Sequence, residues 1–428
     1  MRYPAQLKVG IVGGGWNGCH IALELRKQGH RVSLFESKPD IFQGVSGNFG
    51  IRLHKGPHYP RSKATRDSCR EALDKFCETY PELVVHHESA IYAHGEKDAL
   101  GNPFKVSDDA FRKVCHESPD CATIDPQSAG FENLLSAYNL DEPSVAIGDR
   151  LRTFFKEKLG IAGVHLHLNC SVEKIESLGQ KSLIQTDDGQ YTFDIVINAT
   201  GYTSLLPQNI AESLPVDIGI THQVCIALVY EDQHPQNKPL SFIVMDGWFP
   251  CVMPVIDSHE PVQKKYILTH GSHTILRSFD SHEKGLSFLK GLDDDIVSNK
   301  IRPECEREIT RFWPKFLDRF HYQGWKGNVL AKLKTTSEFR SSLTFEKEGV
   351  IHVFPGKVSN VITAAEEINV LISDILRRRY SSVREFNGVR FTTTSAFHIN
   401  SQEIGDKPKQ GENHTSNLQT FAAIFAAS

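Results

Sequence analysis

Residues 8–36 read KVGIVGGGWNGCHIALELRKQGHRVSLFE. An apolar run at 8–12 meets three consecutive glycines, and apolar residues at helical spacing follow, which predicts a strand, a tight turn and a helix. Gly13, Gly15 and Gly18 form the pattern G-x-G-x-x-G in that turn. The first glycine permits the turn, the second lets a pyrophosphate approach the backbone, and the third lets the helix pack on the strand. The segment therefore predicts a dinucleotide-binding βαβ unit.

An acidic residue ends the second predicted strand of this unit, residues 31–36. Glu36 lies 18 residues beyond Gly18 (36 − 18 = 18), where a carboxylate accepts hydrogen bonds from ribose hydroxyls and disfavours a 2′-phosphate. Trp16, Asn17 and Ser37 flank these positions and are further candidates for cofactor contacts. The bland alternative is a glycine-rich turn beside a surface glutamate. The fingerprint alone serves FAD and NAD equally.

Bulk properties exclude several classes of function. The 428 residues carry a formal net charge of −4 with both signs mixed along the chain, which argues against binding nucleic acid or an anionic membrane surface. The nine cysteines form no C-x-x-C pair, so we predict neither a zinc ribbon nor a dithiol centre, and no metal site. Without a long uncharged apolar run, the chain is predicted to be cytoplasmic and to lack a membrane span.

The order of the predicted elements favours an α/β fold. It consists of a Rossmann-like domain with three layers (ββα) and an inserted α+β substrate domain on a mixed, largely antiparallel sheet. We assign 1–75, 145–205 and 340–391 to the first domain, 76–144 and 206–339 to the second, and 392–428 to a polar tail. Residues 82–139 are predicted to hold only short strands and turns. Later elements include a helix at 282–290, and the last strand and helix at 350–354 and 362–379.

Two segments resemble a known family. Residues 9–36 look like the opening of the FAD-dependent oxidoreductases of the D-amino acid oxidase superfamily, and 193–204, FDIVINATGYTS, resemble its second FAD motif. The resemblance implies FAD as the cofactor, with Ala199, Thr200 and Gly201 close to it and Val172 as a backbone contact to adenine.

A third segment, residues 350–363, VIHVFPGKVSNVIT, is similar to the family's closing loop and helix. The resemblance places a run of cofactor residues beside the isoalloxazine ring: Gly356, Lys357, Val358, Ser359, Asn360 and Val361. A helix N-terminus there stabilises an anionic reduced flavin. The chain has a single dinucleotide fingerprint, which argues against a reductase that carries both FAD and NAD.

Residues 47–69, GNFGIRLHKGPHYPRSKATRDSC, are dense in His, Arg and Gly. Within the superfamily they most resemble the L-2-hydroxyglutarate oxidase branch, which has an N-x-G stretch, a His-x-Gly and a tyrosine. The matching positions here are Asn48, Gly50, His54, Gly56 and Tyr59. We take Asn48 and Gly50 as cofactor residues and Tyr59 as a substrate residue.

Oxidation of an alcohol or amine by a flavin also requires a proton acceptor, which a neutral histidine provides. His54 is the first choice and His58 the second. The alternative for each is a structural histidine that bonds a loop carbonyl or the flavin phosphates. Arg52 and Arg61 either bind FAD phosphates or are simply solvated.

Two further substrate residues are predicted. Arg340, in TTSEFRSSLTF, lies where related oxidases keep an arginine that clamps a carboxylate, although Ser341 stands in place of the proline that often follows. An ordinary salt bridge is the alternative. Trp248, with Phe249, Pro250, Met253, His270 and Gly271, either lines the substrate face or belongs to the core.

These features predict an FAD-dependent dehydrogenase or oxidase. It would take hydride from a C–OH or C–N centre of a small polar substrate, and one form of this hypothesis has a carboxylate on the substrate. The electron acceptor and the oligomeric state stay open. A flavin monooxygenase or halogenase is the first alternative, although the G-D pair of such enzymes is replaced by Phe354-Pro355-Gly356. A non-redox sugar-nucleotide mutase, or a cofactor-binding protein without catalysis, is the second.

Overall fold

The computed structural model describes residues 6–49, 52–97, 101, 105–202, 204–205, 219–245, 249–260, 262–334, 342–380 and 390–391. Its strands in chain order are β1 Lys8–Val12, β2 Arg31–Phe35, β3 Val84–Val85, β4 Ser89–Gly95, β5 Ala122–Ile124, β6 Leu134–Asn139, β7 Ser144–Val145, β8 His165–His167, β9 Val172–Leu178, β10 Lys181–Thr186, β11 Gln190–Phe193, β12 Ile195–Asn198, β13 Gly219–Gln236, β14 Leu240–Met245, β15 Pro250–Pro254, β16 Gln263–His270, β17 Ile275–Phe279, β18 Phe320–Lys334, β19 Leu343–Lys347, β20 Val350–Phe354 and β21 Arg390–Phe391. Its helices are α1 Trp16–Lys27, α2 Val45–Asn48, α3 Lys63–Thr79, α4 Asp108–Cys115, α5 Gly148–Ala162, α6 His282–Lys290, α7 Asp294–Ile296, α8 Arg302–Phe312, α9 Phe316–Arg319 and α10 Val361–Tyr380.

A seven-stranded sheet carries the glycine turn. Its order is β21-β19-β20-β12-β1-β2-β8; β20, β12, β1, β2 and β8 are parallel, β19 is antiparallel to β20, and the edge strand β21 is antiparallel to β19. Val9 and Ile11 in β1 are fully buried, as expected for a parallel strand that is covered on both faces. Helices α1, α5 and α10 pack in one layer, and Phe193 and Ile184 bury the small sheet β11-β10-β9 in another. The predicted Rossmann-like ββα arrangement is confirmed.

A second sheet holds most of the remaining strands. Its order is β17-β13-β16-β15-β14-β4-β6-β5, with β18 paired along β13. Only the pair β14 and β4 is parallel among these described strands, so the sheet is mixed and largely antiparallel, as predicted. Helix α8 covers one face through the buried side chains of Ile309 and Phe312. The exact domain boundaries stay predictions.

Two predicted elements have the bounds that the structure shows, the helix His282–Lys290 and the strand Val350–Phe354. The expectation of only strands and turns in 82–139 is wrong, because helix Asp108–Cys115 lies there. Its N-cap, Ser107, accepts a hydrogen bond from the backbone of Ala110 at 3.2 Å, and two aspartates begin its first turn.

Several strands were not predicted, among them Phe320–Lys334 and Arg390–Phe391. The 15-residue strand Phe320–Lys334 contains two glycines and no clean alternation, and its pairing with β13 defines it. Strand Arg390–Phe391 follows the final helix, so Val350–Phe354 is not the last strand. The predicted tail 392–428 lies outside the described residues.

The nine cysteines are all free thiols. One of them, Cys170, lies close to Asp187 and Asp188 in a group with metal-ligand spacing. These aspartates already accept hydrogen bonds from the Ser171 backbone and the Thr186 hydroxyl, which close the turn between β10 and β11. Across the described ranges, none of the helices combines the length and apolar character needed to cross a bilayer.

Candidate active site

The turn between β1 and α1 keeps open space for a phosphate. Gly13 has φ +109°, and a Cβ at this position would lie 2.6 Å from the carbonyl oxygen of Ala199. Gly15 precedes the helix and provides no side-chain cap, and the first backbone N–H of α1, that of Trp16, makes only a long hydrogen bond of 3.5 Å to the Ser46 hydroxyl, so this helix end is weakly capped. A Cβ at Gly18 would lie 1.8 Å from the Gly13 carbonyl oxygen. Gly13 and Gly18 therefore have a steric reason, whereas a Cβ at Gly15 would lie 3.0 Å from the Ser46 hydroxyl oxygen.

The Glu36 carboxylate lies beside this turn, at the end of β2. It accepts hydrogen bonds from the backbone N–H groups of Gly14 at 2.8 Å and Lys38 at 2.9 Å, and from the Ser37 hydroxyl at 3.3 Å. These bonds fix the carboxylate while leaving acceptor capacity for ribose hydroxyls. At the start of α1, the buried side-chain oxygen of Asn17 has no hydrogen-bond partner in the described structure. The cradle, the helix end and the fixed acid fit a bound dinucleotide.

Some predicted cofactor residues instead use their side chains within the fold. The Trp16 indole is buried in an aromatic cluster with ring centroids 5.2 to 5.6 Å away, so only its backbone can face the cofactor; its ring partners are Phe42, Phe76, Tyr80 and Phe155. The Asn48 amide donates to the Gly44 carbonyl at 3.0 Å, and the Thr200 hydroxyl lies 2.8 Å from Oδ1 of Asn198. These side chains shape the loops around the cradle.

Val172 and Gly201 mark the two ends of the predicted cofactor path. Val172 begins β9 and packs against the cluster that contains Val12 and Phe35, close to Glu36. Gly201 adopts φ +69° in the turn after β12. In the same turn, the backbone N–H of Ala199 donates to the Val12 carbonyl at 2.8 Å. The turn thus continues directly from the glycine cradle.

A cluster of polar rings lies where two distant segments meet. The rings of His54 and His58 are 4.5 Å apart, and the Tyr59 ring is 5.5 and 5.1 Å from them. Lys357 places its Nζ 4.5 Å from the centre of the Tyr59 ring. The structure therefore joins the histidine-rich segment to the loop that the resemblance places beside the flavin.

Arg52 completes this cluster through a buried acid. Its Nε lies 2.7 Å from Oε1 of Glu142, and its guanidinium lies 5.0 Å from the Tyr92 ring. The same carboxylate oxygen is 3.6 Å from Nδ1 of His54. Sequence reasoning missed Glu142 and Tyr92, because neither residue stands in a motif.

Burial and positive charge set the protonation of two of these groups. Burial, reinforced by His54, Arg52 and Lys357, holds the pKa of His58 well below its ordinary value, so its imidazole is neutral at pH 7. Burial, with the nearby Arg52 guanidinium, lowers the pKa of Lys357 to about 7. This amine therefore gains or loses its proton near neutrality.

Several polar atoms of the cluster have no protein partner among the described residues. They are Nη1 and Nη2 of Arg52, Nδ1 of His58 and the Tyr59 hydroxyl, all buried. The Lys357 ammonium, for its part, makes no ion pair with any described acid. Buried polar groups are normally hydrogen-bonded, so this concentration indicates a ligand site. The arrangement can bind an anion and accept a proton.

A second arginine holds the loop that carries the cluster. Arg66 bonds Glu117 through Nε and Nη2, each at 2.9 Å, and its Nη1 donates to the Pro60 carbonyl at 3.0 Å and the Tyr59 carbonyl at 3.2 Å. A bidentate pair of this kind fixes geometry as well as charge. The predicted Arg61 is exposed.

The other predicted site residues lie outside the described residues, in the core of the second sheet or in the loop before the final helix. Arg340, Trp248 and the cofactor candidate Gly50 lie outside the described residues. Phe249 packs its ring 5.9 Å from Phe312 in the core of the second sheet, and His270 is 1% exposed with its Nδ1 accepting a backbone hydrogen bond. The candidate cofactor loop 356–361 is described: Gly356 is exposed, Ser359 and Asn360 are buried, Val361 is in the core, and Val358 packs against it.

Comparison with known proteins identifies the class. The model of the family of FAD-dependent oxidoreductases matches residues 8–364, so the chain belongs to this family. It is an enzyme that uses FAD, as the resemblance of residues 9–36 and 193–204 to this superfamily implied.

Three known proteins are similar to this chain in sequence or in fold. The chain is 76% identical, over 427 residues and the full length of both, to the FAD-dependent monooxygenase kojA of Aspergillus flavus. It is 23% identical over 229 residues to an L-2-hydroxyglutarate dehydrogenase of Indibacter alkaliphilus, covering 49% of this chain and 54% of the relative. The glycine oxidase of Geobacillus kaustophilus has a similar fold, with a TM-score of 0.61 at 13% identity over 90% of this chain and 100% of that one. The predicted superfamily is confirmed.

Proposed function

We propose that this enzyme oxidises a small anionic substrate by removing hydride from a carbon that carries OH or NH. The observation that carries the proposal is the cluster of Arg52, His58, Tyr59 and Lys357, with unpartnered polar atoms, at the start of the final helix. When bound, FAD supplies the hydride acceptor at N5 of its flavin.

Arg52 and Lys357 provide the site for the anionic group of the substrate. In the described part of the chain, the one acid beside them is Glu142, which already pairs with the Nε of Arg52, so the two Nη groups and the Lys357 amine have no carboxylate partner there. A carboxylate is the simplest anion that accepts from a guanidinium fork. This assignment supports a carboxylated substrate without the predicted Arg340.

His58 is the proton acceptor in this proposal, and Tyr59 orients the reacting oxygen or nitrogen. Although the sequence favoured His54, we propose His58, because its neutral ring has an Nδ1 with no hydrogen-bond partner among the described residues, while His54 lies beside Glu142. A neutral imidazole takes the O–H or N–H proton as hydride leaves the carbon. His54 stacks near His58 and supports it.

A second candidate, monooxygenation, is favoured by the printed name of the 76% identical relative. Such an enzyme needs an external reductant such as NADPH and incorporates oxygen into its product. No observation on this chain favours the mutase. A cytoplasmic location and the absence of a nucleic-acid partner stay predictions, and the electron acceptor stays open.

The experiment is anaerobic mixing of the yellow holoenzyme with panels of 2-hydroxy acids and amino acids, each paired with its neutral amide. We expect bleaching by one acid and much slower bleaching by its amide. Bleaching only by NADPH, together with incorporation of labelled oxygen, would show monooxygenation instead.

The proton acceptor is tested with His58→Gln and His54→Gln at equal FAD content. We expect flavin reduction to slow by about 10² to 10³ in the first variant and by less in the second. An unchanged rate in His58→Gln removes His58 from this role.

A further inference from the structure

Glu142 is the one acid in the described part of the chain that contacts the cluster directly. It lies in the loop between β6 and β7, and none of its surface is exposed. A charge in such a position persists only when hydrogen bonds and an opposite charge compensate its loss of hydration.

Both carboxylate oxygens of Glu142 have defined partners. Oε1 lies 2.7 Å from the Nε of Arg52 in an ion pair and accepts from the Tyr92 hydroxyl at 2.6 Å, and Oε2 accepts from the backbone N–H of Lys55 at 2.9 Å. The last bond belongs to the residue that directly follows His54. One carboxylate therefore fixes an arginine, a tyrosine and the backbone of the histidine loop.

The way in which Arg52 is held decides which of its groups stay free. Glu142 takes the Nε edge, and the Tyr92 ring lies 5.0 Å from the guanidinium carbon. Both Nη groups then have no hydrogen-bond partner among the described residues. A planar fork fixed at one edge presents its other donors in one direction, which is the geometry that bidentate recognition of a carboxylate requires.

We propose that Glu142, together with Tyr92, is a positioning residue that orients Arg52 so that its two Nη groups bind the substrate anion. The proposal rests on the proposed function, since it assumes that an anion binds at Arg52. Glu142 touches neither substrate nor cofactor and acts through Arg52. Its loss therefore weakens the selection of anions over neutral molecules more than it weakens FAD binding.

The test compares Glu142→Gln with a matched buried acid. Glutamine keeps the volume but removes the charge, and it cannot accept at both Oε1 and Oε2. Glu308→Gln is the control, because Glu308 is also buried, with 5% of its surface exposed, and forms an ion pair of 2.8 Å with Arg311. This pair does not belong to the cluster. Holoenzymes are titrated with acetate and glycolate, and with acetamide and glycolamide, by the shift of the visible flavin spectrum.

We expect wild-type protein and Glu308→Gln to prefer each acid over its amide, and Glu142→Gln to lose about tenfold of that preference. FAD dissociation constants, measured by fluorescence, should stay equal in the three proteins. In an Arg52→Met background, adding Glu142→Gln should change the preference no further, because the two residues act as one unit.

A milder pair of variants covers the case in which Glu142→Gln fails to fold. Tyr92→Phe removes one hydrogen bond to Glu142, and its control Tyr230→Phe removes the equally buried hydroxyl that donates to Glu306 at 2.9 Å. We expect a loss of preference of about threefold in the first and none in the second.

The outcomes separate the two proposals. If wild-type protein binds acids and amides equally, the anion site fails and the role of Glu142 fails with it. If wild-type protein prefers acids and the folded Glu142 or Tyr92 variants keep that preference in full, only the positioning role is overturned.

Discussion

The two ends of the cofactor site are built on opposite principles. At the nucleotide end, glycines and backbone N–H groups form the cradle, and the Glu36 carboxylate already has three donors. At the proposed reaction end, side chains dominate, and polar atoms of Arg52, His58 and Tyr59 have no hydrogen-bond partner in the described part of the chain. The first end is rigid before a ligand arrives, whereas the second has unmet polar groups and an amine that titrates near neutrality. We therefore expect the nucleotide to be bound by the shape of the backbone at one end, and the substrate by charged side chains at the other.

The largest expected effect is the loss of FAD affinity when the glycine turn at the nucleotide end is changed. Gly13→Ala places a methyl group 2.6 Å from the Ala199 oxygen at φ +109°, so FAD affinity should fall by on the order of a hundredfold. Gly29→Ala is the matched control, since Gly29 has φ +87° but nothing within 4 Å. It should cost about 1–2 kcal/mol of unfolding free energy and leave FAD binding intact. Fluorescence titration of apoprotein and urea unfolding measure both, and equal FAD loss in the two variants would contradict the steric explanation.

The next effect breaks the reaction end. Lys357→Met removes the unpaired amine but keeps its backbone, so acetate affinity should fall about tenfold while FAD content stays constant. Lys290→Met, at an exposed helix end, is the control. Loss of FAD with acetate binding unchanged would instead assign Lys357 to the nucleotide end.

The titration of Lys357 predicts that anion affinity and FAD affinity differ in their dependence on pH. Because the pKa of Lys357 is lowered to about 7, the amine is charged below pH 6 and mostly neutral above pH 8. A bound anion favours the charged form, so acetate affinity should be constant below pH 6 and fall by up to about tenfold per pH unit above 7. FAD affinity should not follow this profile. Spectral titrations from pH 5.5 to 8.5 test it, and Lys357→Met should abolish the slope.

The smallest expected effect returns to Glu36. Glu36→Gln keeps one acceptor oxygen but cannot serve both backbone donors, Gly14 and Lys38, and a ribose. We expect FAD affinity to fall by about threefold to tenfold, with acid-over-amide preference unchanged. A change in that preference would mean that the two ends are not independent.

Local chemistry explains what the sequence predicted. The βαβ unit follows from glycine spacing and strand and helix periodicity within 29 residues, so residues 8–36 predicted a dinucleotide-binding unit, whereas FAD was implied by the family resemblance that residues 193–204 share. The reaction end joins Arg52, Glu142 and Lys357, which are far apart in the chain, and no local pattern encodes their contacts. The long strand Phe320–Lys334 was missed for the same reason, because its partner β13 defines it.

The ion pair between Arg52 and Glu142 has a consequence for how such enzymes can be recombined. Arg52 comes from the segment after the first βαβ unit, whereas Glu142 follows a strand of the second sheet. A chimaera that takes these two segments from different relatives inherits one buried charge without its partner, which is strongly destabilising. The two sheets are therefore not interchangeable modules, and a functional exchange has to move both residues together.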